Sequence, residues 1–169
     1  NRSLDGLQVK NCEITLFIGK DSVQREMGDL DFTGNGIEGS IGYKISRKAV
    51  KAIKSGNKCR VSIDLKPAVS KDELEARVER ELKNTQISNT ADLLRKFLPK
   101  QAVIPFIEMN QIENNIGRLL LKNGVTTIVN ALKEWRMNIE SYTSYERAVV
   151  TAGGINLDEI VPKNMKSRM

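Results

Sequence analysis

The hydrophobic period of this chain changes twice along its length, and that change limits the possible folds more than any other feature. Ile14, Leu16 and Ile18 share one face with Glu13 and Thr15 opposite, and Phe17 alone breaks the two-residue period of a half-buried strand. Gly19-Lys20-Asp21 then supplies turn chemistry and Val23 to Phe32 run back, which predicts an antiparallel hairpin. Cys59, Val61, Ile63 and Leu65 alternate as a further strand, closed by Pro67.

From about Ser70 the period becomes that of a helix. Ser70-Lys71-Asp72-Glu73 has the form of a capping box, in which the serine accepts from the Glu73 N–H and the glutamate reaches back to Ser70. Leu74, Val78 and Leu82 keep one apolar face after it. Further helical pieces are expected at Thr90 to Phe97, Gln101 to Met109, Asn114 to Leu121 and Thr126 to Trp135, punctuated by Pro99, Pro105 and Gly124. Strand character returns in Met137 to Tyr142 and in Ala148 to Thr151. The pattern reads as α+β, an antiparallel sheet with a small helical bundle inserted into it. Residues 1–67 form the β-rich part with one basic helix, 68–135 the helical part, and 136–169 the return strands and an exit linker.

Composition removes several classes of function. There is no histidine, which takes away most general-base and metal-site chemistry, and no catalytic or metal-ligating residue is expected in the chain. Cys12 and Cys59 stand far apart without Cys-x-x-Cys spacing, as buried structural thiols do, and suggest a reduced, cytoplasmic setting. No apolar run approaches the roughly 20 residues that span a bilayer. The chain opens on Asn1 with no initiator methionine or signal pattern, and both ends read as those of a segment cut from a longer protein.

The net charge of +6 is concentrated. Lys44, Arg47, Lys48, Lys51, Lys54, Lys58 and Arg60 occur with no acidic residue between Ile41 and Arg60. On a helix, Lys44, Arg47, Lys48 and Lys51 share one face while Ile45, Ala49, Ala52 and Ile53 share another. A solvated helix face, an anion or phosphate contact in a larger assembly, and a nucleic-acid surface all fit this pattern, the last with few aromatics for stacking.

Two glycine runs stand out. Gly34-Asn35-Gly36-Ile37-Glu38-Gly39 has the dinucleotide-binding spacing, as a free-standing Rossmann enzyme would. The strand before it alternates, however, where a doubly buried parallel strand would be continuously apolar. It reads equally as a glycine loop that turns backbone amides toward a ligand or a neighbouring domain, or as a tight connection. Val149-Val150-Thr151-Ala152-Gly153-Gly154-Ile155 is a β-branched run ending in two glycines, which admits close approach of a backbone or flat cofactor, or a tight strand exit.

These residues also carry a resemblance. The run Ala148 to Ile155, continuing through Glu159-Ile160 to Pro162-Lys163-Asn164-Met165-Lys166-Ser167, resembles a long signature of the BaiN-like FAD-dependent oxidoreductases. Gly28 to Thr33, Gly36 to Gly39 and Ile45-Ser46-Arg47 look like a second family segment, and Lys133 to Ile139 like a third, in the family's order. Relatives place a histidine before the first loop glycine, where this chain has Thr33-Gly34, and an acid where this chain has Lys166.

The resemblance implies a β-barrel-like and helical insert domain, set between the two parts of a flavin domain. FAD would belong to the parent protein and not to this segment alone, with NAD(P)H as a possible reductant. The partners implied are the FAD-binding domain of the same parent chain and a small organic acceptor. Thr151, Ala152, Gly153, Gly154 and Ile155 would lie where the chain re-enters the flavin domain, as cofactor-binding residues. Thr33, Gly34, Asn35, Gly36, Ile37, Glu38 and Gly39 would form a substrate-side loop. The rival reading is a basic module that binds an acidic partner or nucleic acid.

Overall fold

The computed structural model describes residues 2–83, 86–120, 123–144, 148–149, 153–154 and 156–168. Five strands make the main sheet: β1 (Gln8–Ile18), β2 (Asp21–Thr33), β3 (Gly36–Glu38), β4 (Cys59–Asp64) and β5 (Trp135–Ile139). Their order is β3-β2-β1-β4-β5, with every neighbouring pair antiparallel. The two-residue period then decides which side is dry. Cys12, Ile14 and Leu16 of β1, Leu30 and Phe32 of β2, and Val61 and Ile63 of β4 are all buried. Helix α1 (Gly39–Lys54) contributes Ile41, Ile45, Ala49 and Ala52 to the buried set and leaves its cations outside. This is the arrangement expected of the hairpin, the basic helix and the Cys59 strand.

The helical part enters between β4 and β5. It comprises α2 (Lys71–Leu82), α3 (Thr90–Leu94), α4 (Lys100–Met109), α5 (Ile116–Leu119) and α6 (Gly124–Lys133). Both halves of the expected capping box form, with Ser70 Oγ accepting from the Glu73 amide and Glu73 Oε2 accepting from the Ser70 amide. Those bonds hold the Glu73 carboxyl below its ordinary pKa. One hydrophobic cluster runs from Leu4 through the strands and the inserted helices to Trp135, so sheet and helices share a core. At its centre Trp135 lies between Phe32, 5.7 Å away, and Phe106, 5.5 Å away.

The neck of the insertion is polar and enclosed. Lys133 Nζ lies 2.6 Å from Asp64 Oδ2 and donates to the carbonyls of Lys66 and Val69 at 3.0 and 2.9 Å. Asp64 Oδ1 accepts from the Lys66 amide, and the Leu65 amide donates to the Leu132 carbonyl at 2.9 Å. The strand that departs and the helix that returns are therefore tied within a few residues of each other.

Several expected boundaries move. The helix over Thr126 to Trp135 starts earlier and stops at Lys133, and Trp135 opens β5 opposite Ile63. Its ring would fit a helix face equally well by period, but its backbone pairs with Ile63 across the sheet. β5 ends at Ile139, short of the expected Tyr142. The Thr90 piece is helical only to Leu94 and continues as a turn, while α5 starts at Ile116, with Leu121 outside the described residues. Pro105 lies inside α4 and breaks nothing. The helix forgoes one bond there, and buried Ala102, Val103, Phe106 and Ile107 hold it in place. Ala148 and Val149 are not in a strand, Val149 is 69% exposed, and Val150 and Thr151 lie outside the described residues. Beyond them β6 (Ile160–Val161) and β7 (Lys166–Ser167) pair only with each other. Among the described residues no helix is long and apolar enough to cross a membrane.

The neck gives the first prediction. Lys133→Met leaves the Asp64 carboxylate without its cation in a largely enclosed place, and should cost about 2–3 kcal/mol in urea unfolding. Lys133→Met combined with Asp64→Leu should cost less than the sum of the two single changes. A single-variant loss below about 0.5 kcal/mol would show that the neck is held by packing alone.

Candidate functional site

The first glycine run closes a hairpin instead of opening a nucleotide loop. Thr33 pairs with Gly36, Phe32 with Ile37 and Asp31 with Glu38, and Gly34-Asn35 forms the exposed tip. Thr33 Oγ1 accepts from the Asn35 amide at 3.3 Å and lies 3.2 Å from Glu38 Oε1, so the tip is braced from within. The Rossmann alternative fails on topology. β2 before the run and β4 after α1 are separated by the antiparallel β1, whereas a dinucleotide unit needs them adjacent and parallel.

The glycines of this segment do different work. Gly36 has a φ of +137°, and nothing lies within 4 Å of where its side chain would begin. Gly39, at φ +87°, is a point of close approach: an added Cβ would sit 3.0 Å from the Asp29 carbonyl oxygen, the Asp31 nitrogen and Asp31 Oδ2. Gly28 meets the same helix start from the strand side, where a Cβ would fall 2.9 Å from Ile41 Cγ2 and 3.0 Å from Ser40 Oγ. Gly28 and Gly39 thus let the first turn of α1 rest directly on the β2 backbone, and Ser40 Oγ donates to the Asp29 carbonyl across the contact. The packing role of Gly28 was not visible in the sequence, because nothing local marks which helix will cross a strand glycine.

The carboxylates around the hairpin are occupied. Asp29 Oδ1 accepts from the amide of Asn11, whose φ of +52° lies in the irregular stretch of β1 between Val9 and Cys12. Asp31 Oδ1 accepts from Gln8 Nε2 at 2.9 Å. Among the described residues no group of histidine, cysteine, aspartate or glutamate side chains is arranged to hold a metal ion.

Of the second glycine run, Gly153 and Gly154 are described, while Thr151, Ala152 and Ile155 lie outside the described residues. Both glycines have a φ of +150°, with nothing within 4 Å of a Cβ position. Their requirement for glycine comes from backbone conformation, not from crowding. The structure does not bring this pair and the hairpin tip into one pocket. An apolar cleft of about 140 Å³ is lined by Val9, Leu65, Phe97 and Trp135, and a shallow polar groove of about 670 Å³ by Lys71, Asn130, Glu134 and Arg136. Neither includes a residue of Thr33 to Gly39 or of the glycine pair. Burial, with help from Arg77, holds the Lys66 ammonium at the apolar cleft below its ordinary pKa.

Both thiols are buried, as expected. Desolvation pushes Cys12 up to about 11 and also raises Cys59. Neither is poised as a nucleophile.

With this geometry in place the comparisons are informative. A family model described as the HI0933-like protein barrel and H2TH domain matches residues 1–150. The chain belongs to that family. An antiparallel sheet with inserted helices is an α+β fold consistent with that description. The 3-dehydro-bile acid delta(4,6)-reductase of Clostridium scindens is 23% identical over 159 residues, which cover 94% of this chain and 39% of that protein. The chain is thus a BaiN-like family member that spans well under half the length of this curated relative.

Two predictions follow from the glycine contact and the thiols. Gly39→Ala, which combines a strained φ with contact against the β2 backbone, should lower stability by about 3 kcal/mol or more. Gly36→Ala, strained but uncrowded, should cost about 1–2 kcal/mol in the same urea titration. Equal losses would show that Gly39 serves only its dihedral angle. Because the folded Cys12 pKa of about 11 lies above the 9.0 of an unperturbed thiol, the folded state favours the thiol form. Its contribution is complete below pH 9.0 and is lost between there and about 11. The unfolding midpoint of the wild type should therefore fall more steeply across that window than that of Cys12→Ala.

Proposed function

We propose that this chain is the insert, substrate-side domain of a FAD-dependent oxidoreductase that uses NAD(P)H and reduces a small organic acceptor, and that it is not catalytically complete alone. The observation that carries this reading is the match of residues 1–150 to the family model, joined to a relative named as a reductase of which the chain covers 39%. The side chains support it. The described groups with perturbed pKa values, Cys12, Glu26, Cys59, Lys66 and Glu73, owe their shifts to burial, capping or surface hydrogen bonds, and none converges with a second on a cleft. FAD in the parent would supply the hydride chemistry.

This chain's own residues fit the flavin in part. Gly153 and Gly154 present unobstructed backbone, as a contact with a flat ring requires. In this reading Thr151 to Ile155 line the flavin where the chain enters the cofactor domain. The Thr33–Gly39 hairpin stands over the acceptor, stiffened by Thr33 and by the Gly39 contact. The hairpin positions and excludes water; it transfers no proton.

The chain titrated with FAD should give no stoichiometric yellow complex, and the flanking coding sequence should contain a dinucleotide glycine fingerprint upstream with a flavin segment downstream. A tightly bound flavin in the chain by itself, or start and stop codons directly bracketing these residues, would defeat the assignment.

A further inference from the structure

The insert-domain reading leaves the basic helix without a task. We infer that the exposed stripe of α1 and the turn after it, Arg47, Lys51, Lys54 and Lys58, is a docking surface for an acidic, carboxylate-rich protein segment. The five cations of the helix fall within about 120° of its circumference, while Ile41, Ile45, Ala49 and Ala52 face the core. The stripe runs about 15 Å from Lys44 to Lys54, with Lys58 beyond the helix end.

Its members differ in what they do at home. Lys44 Nζ pairs with Glu26 Oε2 at 3.2 Å, and Lys48 Nζ donates to the Val23 carbonyl, so both lean onto β2. Glu26 is held below its ordinary pKa, first by Gln24 and then by Lys44. Arg47, Lys51 and Lys58 are exposed and, among the described residues, pair with no carboxylate. The negative end of the helix gives Lys51 and Lys54 a local reason to sit in the last turn. It gives none to Arg47, one turn earlier, or to Lys58, four residues past the end.

The chemistry of the patch selects the partner. Few rings near the stripe could stack on nucleotide bases: among the described residues Lys54 lies 5.6 Å from the centroid of the Tyr142 ring and Arg60 4.7 Å from that of the Phe17 ring, so each ring already has a cation on one face. Lysine outnumbers arginine on the stripe. Lysines act as mobile point charges suited to carboxylates in a transient, steered encounter, without the rigid fork that reads phosphate. A second copy of the chain would bring two bodies of charge +6 together, which disfavours it as the occupant.

The test compares poly-L-glutamate with a single-stranded oligodeoxynucleotide of equal charge, using fluorescence anisotropy of the whole chain at low and moderate salt. Poly-L-glutamate should bind at least as tightly as the oligonucleotide. Arg47→Glu/Lys51→Glu/Lys58→Glu should weaken that binding on the order of tenfold or more. Lys163→Glu/Lys166→Glu/Arg168→Glu makes the same charge change in the β6–β7 hairpin and should leave it within about twofold. Should the first triple variant fold poorly by circular dichroism, the glutamine version at the same three positions should still weaken binding. Equal losses from the two triple variants would reduce the effect to net charge and overturn the proposal. Tighter binding of the oligonucleotide, or a dimer in sedimentation that the α1 changes dissolve, would overturn it in favour of nucleic acid or a second copy.

Discussion

The chain leaves its sheet at Asp64 and rejoins it at Trp135 on the neighbouring strand, so about 70 residues must close on themselves across one strand spacing. The entropic cost of such a closure grows slowly with length, and what matters is how firmly the two ends are fixed. Here the fixing is a largely enclosed ion pair whose lysine also satisfies two carbonyls of the departing segment. Two residues further on, Trp135 fills the space between Phe32 of the sheet and Phe106 of the insert. Polar tie and aromatic plug together turn two kinds of secondary structure into one core. The plug carries a cost, since the Trp135 Nε1–H is buried and has no acceptor among the described residues. Its size at the junction outweighs that single lost bond.

The strands and the basic helix were legible because burial on one face imposes a period, and a period is a local property. Ile14, Leu16, Val61 and Ile63 are dry for the reason that makes them alternate. The capping box at Ser70 was legible for the same reason, every participant lying within four residues. What failed was decided at a distance. Trp135 has the spacing of a helical residue, and its pairing with Ile63, distant in sequence, makes it a strand residue. The hairpin between Thr33 and Gly36 gave no signal of its strand β3, which is three residues long and takes its pairing from β2.

The candidate site divides along the same line. Its residues could be named from the sequence, but their roles could not. The segment from Gly28 to Arg47, through which the chain resembles its family, is in large part a packing device. Gly28 and Gly39 bring α1 onto β2, and the side chains of Asp29 and Asp31 hold the amide of Asn11 and the amide group of Gln8. A glycine-rich run next to a helix start is therefore not built here as a Rossmann phosphate loop. Its geometry is spent on bringing two backbones into contact.

The same separation of roles marks where the fold ends as a physical unit. From Leu4 to Ile139 the described chain feeds one hydrophobic cluster, and past Ile139 no described residue joins it. The family model stops its match at residue 150, near this point, although it knows nothing of burial. Beyond lie two strands of two residues each, with Leu157 79% and Met165 73% exposed. A two-stranded ribbon of this size cannot bury its own apolar side chains and is marginal by itself in water. The sheet and its insert hold together without it, through the neck and the Trp135 core. Leu157, in the turn before the ribbon, and Met165, within it, add no apolar area to that core.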